Sequence, residues 1–324
     1  MPSGRFGTVA TDGNAVSTVE NWNITDSLNA QAYTASNTQG GTDRDGGIVD
    51  WNGSFQGKGA LPPVLPNDIF EFKGYTAPSN NQLGGTGYVY TGDAIVRSVA
   101  INFNYQANEL ITWTAQIASR SSLSFPIEAP IMDLTAPSSE FTCGTFIAYT
   151  TDPAGSFTGV NNNDGNGGGT PYPNGGIEIP ALTSATLTIT ANLAESSNSS
   201  TRDPNGCFIL RDPGNIDWTL SAPQEDHIRG VERYPDLGDN FTIRIYTRPD
   251  LSEFWYLKWG KQLEYSNLQV DTGSNTLINR TINIAMKALL SGQGLGTIVA
   301  PGSDSDSPLW GEAGPSGLPG GAIT

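Results

Sequence analysis

The chain has 324 residues, enough for two domains of ordinary size that each bury a core of their own. Its 32 acidic residues outnumber 16 lysines and arginines, and the formal net charge of −16 argues against a protein that grips phosphates, so direct nucleic-acid binding is not expected. No apolar run approaches the roughly 20 residues of a membrane span, while 39 glycines and 21 prolines predict a folded, turn-rich chain with long loops.

The first residues, Met1-Pro2-Ser3-Gly4-Arg5, lack the apolar segment of a signal peptide, so the expectation is a cytoplasmic product. Residues 7–10 read as a short strand, 11–14 as a turn, and 19–24 as a half-buried strand by alternation. Residues 36–47 contain no apolar member and predict a loop much longer than usual, of the kind that carries contacts. Residues 48–55 form the next predicted strand, and the proline-rich 61–66 cannot join a ladder. Strand character resumes over 69–75 and 88–92. An antiparallel hairpin then places Val99, Ile101, Phe103 and Tyr105, and after a turn at Asn108 Ile111, Trp113, Ala115 and Ile117, on one buried face.

Residues 121–140, with Pro126, Pro130 and Pro137, read as a linker packed along the surface. The second half opens on Gly144-Thr145-Phe146-Ile147-Ala148 and carries an Asn/Gly-rich insertion near 161–176. It continues with a strand at 185–191, a long loop at 196–206, and strands around Ile216, 241–246, 254–259, 268–270 and 278–286. Helical periodicity is weak throughout, and only 224–234 suggests a short helix. From 293 to 324 glycine, proline, serine and aspartate dominate, which predicts a flexible arm anchored by Leu309 and Trp310.

The chain repeats itself. Arg44-Asp45-Gly46-Gly47-Ile48-Val49-Asp50-Trp51 returns as Arg211-Asp212-Pro213-Gly214-Asn215-Ile216-Asp217-Trp218, an offset of 167. The same offset carries Ile101, Phe103, Asn108, Leu110, Ile111, Ala115 and Ile117 onto Leu268, Val270, Asn275, Leu277, Ile278, Ile282 and Ile284. Upstream, Ile24 and Leu28 meet Ile189 and Leu193 at 165, so a two-residue loop difference separates the halves there. A duplication of one folding unit follows, with domains at 1–120 and 141–292 joined by 121–140. Trp51, Trp218, Phe103, Val270, Ile117 and Ile284 are its expected core anchors, since a tryptophan on an alternating strand is more often core than a ligand platform.

Signatures of catalysis are missing. His227, the single histidine, has no partner in the first repeat, and no nucleophile elbow occurs. The run Gly53-Ser54-Phe55-Gln56-Gly57-Lys58-Gly59 is too short for a phosphate loop and ends in glycine where a hydroxyl should stand. Asp43-Arg44-Asp45-Gly46 and Asp164-Gly165-Asn166 resemble pieces of calcium loops without the closing glutamate. Cys143, Cys207 and His227 are too scattered for zinc and the two cysteines read as free thiols. Neither metal, cofactor nor enzymatic activity is expected. Five N-x-Ser/Thr sequons, at Asn23, Asn52, Asn198, Asn240 and Asn279, read as composition.

Four motifs follow one another in the first repeat: Ile48-Val49-Asp50-Trp51-Asn52-Gly53-Ser54-Phe55, Leu65-Pro66-Asn67-Asp68-Ile69-Phe70-Glu71-Phe72, Tyr90-Thr91-Gly92-Asp93-Ala94-Ile95-Val96, and the hairpin from Val99 to Ile117. In that order they resemble the tail tube protein of long-tailed bacteriophages. The second repeat keeps Asp217-Trp218 and Leu237-Gly238-Asp239-Asn240-Phe241, but has Leu220-Ser221-Ala222 for Gly53-Ser54-Phe55 and Trp259-Gly260 for Thr91-Gly92. The resemblance implies two tandem β-sandwich or half-barrel domains, each with at most a short helix, and a C-terminal arm. Three such chains would form a pseudo-hexameric ring, and stacked rings a tube that conducts DNA during ejection, with no specific grip on the DNA. The long loops would reach the neighbouring ring, through Thr38, Asp43, Arg44 and Asp45 in the first repeat and Asn198, Ser199, Arg202 and Asp203 in the second. The implied partners are further copies of the chain, a tape-measure protein and a tail terminator or adaptor, and the implied location is the virion, after assembly in the host cytoplasm. In that setting the acid excess would keep a lumen from holding DNA; read by itself it need only keep the protein soluble. The competing readings are a two-domain virion decoration or carbohydrate-binding module, which needs exposed aromatics such as Trp255 or Trp259, and a hydrolase with paired carboxylates, which no pair in the sequence marks.

Overall fold

The computed structural model describes residues 8–16, 19–34, 41–76, 86–105, 109–124, 126–130, 147–150, 177–179, 182–198, 200–203, 206–226, 240–247, 254–269, 278–286 and 298–299. These residues are mainly β, and no helix occurs among them. In chain order the strands of the first half are β1 (Thr8–Thr11), β2 (Asn14–Ala15), β3 (Val19–Tyr33), β4 (Asp43–Lys58), β5 (Ile69–Tyr75), β6 (Thr86–Asn104), β7 (Thr112–Ser119) and β8 (Ile127–Pro130). The second half adds β9 (Ile147–Thr150), β10 (Ile177–Glu178), β11 (Ser184–Ser196), β12 (Arg202–Asp203), β13 (Gly206–Phe208), β14 (Leu210–Asp226), β15 (Asn240–Tyr246), β16 (Phe254–Gln269), β17 (Ile278–Met286) and β18 (Ile298–Val299).

Two compact units result, and neither is contiguous in sequence. Met1–Ala100, Thr112–Ser138 and Ile189–Ile216 form one; Ile101–Ile111, Ser139–Thr188 and Asp217–Thr324 form the other. They differ from the contiguous segments 1–120 and 141–292 suggested by the sequence, because 101–111 groups with the second unit and 189–216 with the first.

In the first unit β1 pairs antiparallel with both β2 and β5, β5 with β6, and β6 with β8. A second run joins β3 to β4 and β4 to β7, again antiparallel. Alternation explains why these segments bury one face: along β5 Phe70 and Phe72 point inward, and along β7 Trp113, Ala115 and Ile117 do. The inward rings meet between the two runs. Phe55 on β4 lies 5.6 Å from Trp113, 6.3 Å from Phe72 and 6.5 Å from Phe70, and Trp51 lies 6.0 Å from Phe72. Trp51 is fully buried with its indole N–H donating to the Ser121 carbonyl at 2.8 Å, so the largest side chain of the core leaves no polar atom unmatched. Gly92 makes room for it, since a Cβ there would come within 2.8 Å of the indole ring.

The second unit repeats this scheme strand for strand. β9 pairs with β10 and β15, β15 with β16, and β16 with β18, as β1 pairs with β2 and β5, β5 with β6, and β6 with β8. β14 pairs with β17 as β4 does with β7, in the same register: Gly53 faces Ile117 and Leu220 faces Ile284, both members shifted by 167. Its core includes Ile243, Ile245, Trp255, Leu257, Ile282 and Ile284, with Phe254 packed against Ala148, Tyr246 and Tyr256. Arg244 stacks its guanidinium 4.5 Å above the ring of Phe254. Ile101 and Phe103, at the end of β6, are buried here, and Asn102 accepts a hydrogen bond from the Thr186 hydroxyl at 3.0 Å.

Several expectations are corrected. The predicted loop 36–47 ends by residue 42, because Asp43 to Gly47 already belong to β4 and pair with β3. Both sides of a projecting hairpin can face solvent, so its strands need no apolar residues. The linker 121–140 contains β8, which pairs with β6, and the C-terminal arm contains β18, which pairs with β16. Residues 224–226, expected to start a helix, end strand β14; the rest of that segment, with His227, lies outside the described residues. So do the insertion near 161–176, Cys143, Leu309 and Trp310.

Candidate functional site

The segment Ile189–Ile216 is the outer half of the β11–β14 hairpin, an arm of the second repeat that is a member of the first unit. Its tip is shaped locally: Asn198 accepts the Ser200 N–H on its side chain and the Thr201 N–H on its carbonyl, and Thr201 in turn accepts the Phe208 N–H at 3.0 Å. β12 and β13 form a short ladder beyond it, and β13 runs parallel to β4, Cys207 beside Ile48 and Phe208 beside Val49.

Arg211 holds the arm in place. It is only 4% exposed, and its guanidinium donates to both oxygens of Asp50, at 2.8 and 3.0 Å. The remaining donors reach Glu195 at 2.8 Å, and the hydroxyl and carbonyl of Ser119 at 2.8 and 3.1 Å. Ser119 is itself fully buried and donates its hydroxyl to Asp50 at 2.7 Å, so each group in the cluster has a partner. Burial pushes the Asp50 carboxyl up, but the hydrogen bonds from Arg211 and Ser119 and the nearby positive charge outweigh it, and the net shift is downward. For Arg211 burial acts against the charge and the two carboxylates outweigh it, leaving the guanidinium still more firmly protonated.

Two further contacts flank this pair. Arg120 donates to the Arg211 carbonyl at 2.6 Å and to the Asp212 carboxylate at 2.8 Å. Asn67 grips Gly214 from both sides, donating to its carbonyl at 2.7 Å and accepting its N–H at 3.0 Å. Asn67 has φ 77, a left-handed conformation that asparagine tolerates better than most residues. Gly214 is required on the arm because a Cβ there would fall on the Asn192 carbonyl; Gly47, its counterpart, would strike the Asn29 carbonyl in the same way. The two arms are thus built by one device.

Of the residues expected at inter-ring loops, Asp43, Arg44 and Asp45 lie on β4 and Arg202 and Asp203 on β12, with Arg44, Arg202 and Asn198 exposed; Thr38 and Ser199 lie outside the described residues. Trp51, Trp218, Phe103, Ile117 and Ile284 are buried as core anchors, while Val270 lies outside. Sequence reasoning missed Arg211, Arg120, Ser119 and Asn67. The signal is the repeated Arg-Asp pair, which marks the duplication and, in its second copy, the docking cluster. Among the described residues no three His, Cys, Asp or Glu side chains gather to hold a metal ion, and Cys207 is a free, exposed thiol. No helix of the described residues is long and apolar enough to cross a membrane. No protein-family model matches the chain, and no curated protein matches it.

Proposed function

We infer that the chain is a structural subunit that assembles with copies of itself, as a trimeric, pseudo-hexameric ring that stacks into the tail tube of a long-tailed bacteriophage and conducts DNA. The observation that carries this reading is the recurrence of one strand-pairing scheme in both halves, with β4–β7 and β14–β17 in registers shifted by the same 167 residues. Two equivalent modules per chain let three chains supply six positions around a ring. The order of motifs resembling tail tube proteins supplies the identity of that ring, and the charge of −16 suits a lumen through which phosphates pass without a deep binding minimum. A tape-measure protein inside and a terminator at the end are the partners this role requires. Of the two tryptophans the carbohydrate-binding alternative would use, Trp255 is buried, and the Trp259 side chain lies outside the described residues.

Negative-stain electron microscopy of the purified chain at rising concentration tests the reading. Hollow end-on rings or tubes with threefold or pseudo-sixfold averages are the expected result. Dispersed monomers at every concentration would overturn it.

A further inference from the structure

The arm 189–216 is held in the first unit more by charge than by apolar burial. Beyond Ala191 its only buried side chains among the described residues are Thr201 and Arg211, while Leu193, Phe208 and Leu210 are half-buried. None of the largest fully buried side chains belongs to it; the rings of Trp51, Phe55, Phe72 and Trp113 fill the first core without it. Its ladder to the seat, β13 beside β4, pairs only Cys207 with Ile48 and Phe208 with Val49.

Three ion pairs cross between arm and seat among the described residues, and each depends on a carboxylate. Asp50 of the seat takes Arg211 and Arg120 of the seat takes Asp212, both at 2.8 Å, and Arg97 of the seat stands 3.6 Å from Glu195. From β3, Ser27 lies opposite Asp50 and donates its hydroxyl to the Asp50 carbonyl at 2.9 Å. At neutral pH the three guanidiniums and three carboxylates balance. Neutralising the carboxylates leaves three cations at one joint, and Arg211 is then a buried charge without its counterions.

We propose that this joint is an acid-operated release, in which loss of the carboxylate charges frees the arm from its seat as one piece and leaves the aromatic core of the first unit packed. The arm continues at both ends into β11 and β14, so it stays tethered when it opens. Arg211 and Glu195 both lie on the arm, 2.8 Å apart, and Asp50 is the member of the cluster that stays behind. Burial pushes the Asp50 carboxyl up, but hydrogen bonds from Arg211 and Ser119 hold it below its ordinary value. The joint is therefore closed at neutral pH, and the contribution of Asp50 is lost as pH falls through that lowered value. The release is a property of the single chain and does not depend on assembly.

Hydrogen exchange by mass spectrometry on the full chain, from neutral pH down through the carboxylate range and normalised to the intrinsic rate at each pH, tests the release. Segment 206–214 should lose about 100-fold of its protection in acid while 70–72 and 113–117 keep theirs. Asp50→Asn should show the same loss over 206–214 at neutral pH. Asp212→Asn, at an exposed position, should keep the fold and move the acid step of 206–214 to higher pH. Loss of protection over 206–214 and 113–117 at one and the same pH would mean a single unfolding step and would overturn the release. So would an arm whose protection is constant through the carboxylate range.

Discussion

Arg211 and Arg44 occupy the same place in two copies of one hairpin, yet the first is enclosed by Asp50, Ser119 and Glu195 and the second lies at the surface. The arms share the close glycine crossing at Gly214 and Gly47. They differ in what surrounds the arginine, since Glu195 stands on the second arm where the 165 offset puts Ala30 on the first. A duplicated chain can satisfy one arm internally, and the other repeats the donor chemistry without the same enclosure. The tryptophans make a parallel contrast: Trp51 donates to Ser121, while the Trp218 indole N–H is buried without a partner among the described residues.

The comparison can be broken most forcefully at Arg211. Arg211→Ala leaves the half-buried Asp50 without its guanidinium and Glu195 with only Arg97 at 3.6 Å, and should cost about 3–5 kcal/mol, read as lost hydrogen-exchange protection over 206–214 and a lower urea midpoint. Gly214→Ala forces the arm's strands apart and should cost about 1–3 kcal/mol by the same measurements. Trp51→Phe should cost about 1–2 kcal/mol more than Trp218→Phe, because only the first removes a satisfied hydrogen bond and the second removes an unmatched donor; paired urea melts decide it. Asp50 sharpens the contrast through pH. Its folded value lies below the ordinary carboxylate range, so its contribution is complete above the unfolded value near about 4 and is lost as pH falls through the folded one. Asp50→Asn should flatten the acid limb of stability against pH, measured by urea midpoints. At the small end Arg44→Ala should change the stability of the dispersed chain by less than about 0.5 kcal/mol.

Alternation made the core strands legible: Phe70 and Phe72, and Trp113, Ala115 and Ile117, face inward where a period of two puts them. Strand β6 was harder to see whole, since Gly92 interrupts its pattern to admit Trp51. Strands β8 and β18 are short, and Pro126 before the first and Pro130 at its end read as linker. The docking cluster was hidden for a different reason. Arg211, Arg120, Ser119 and Asn67 are polar, lie far apart in sequence from what they bind, and obey no period; only the spatial pairing of residues 50 and 211 reveals them.

Because the arm 189–216 is a member of the first unit, that unit cannot be completed until the chain has emerged from the ribosome as far as residue 216. Asp50 must wait for a partner 161 positions later, and Asn67 for one 147 later. Domains usually fold as they are made, the N-terminal one first, but here the first unit keeps an unfilled seat until residues 189–216 of the second repeat have been translated. A nascent chain stopped before the arm would present Ser119 and Asp50 with no guanidinium to cover them, which makes the arm of the second repeat a condition for a finished first unit.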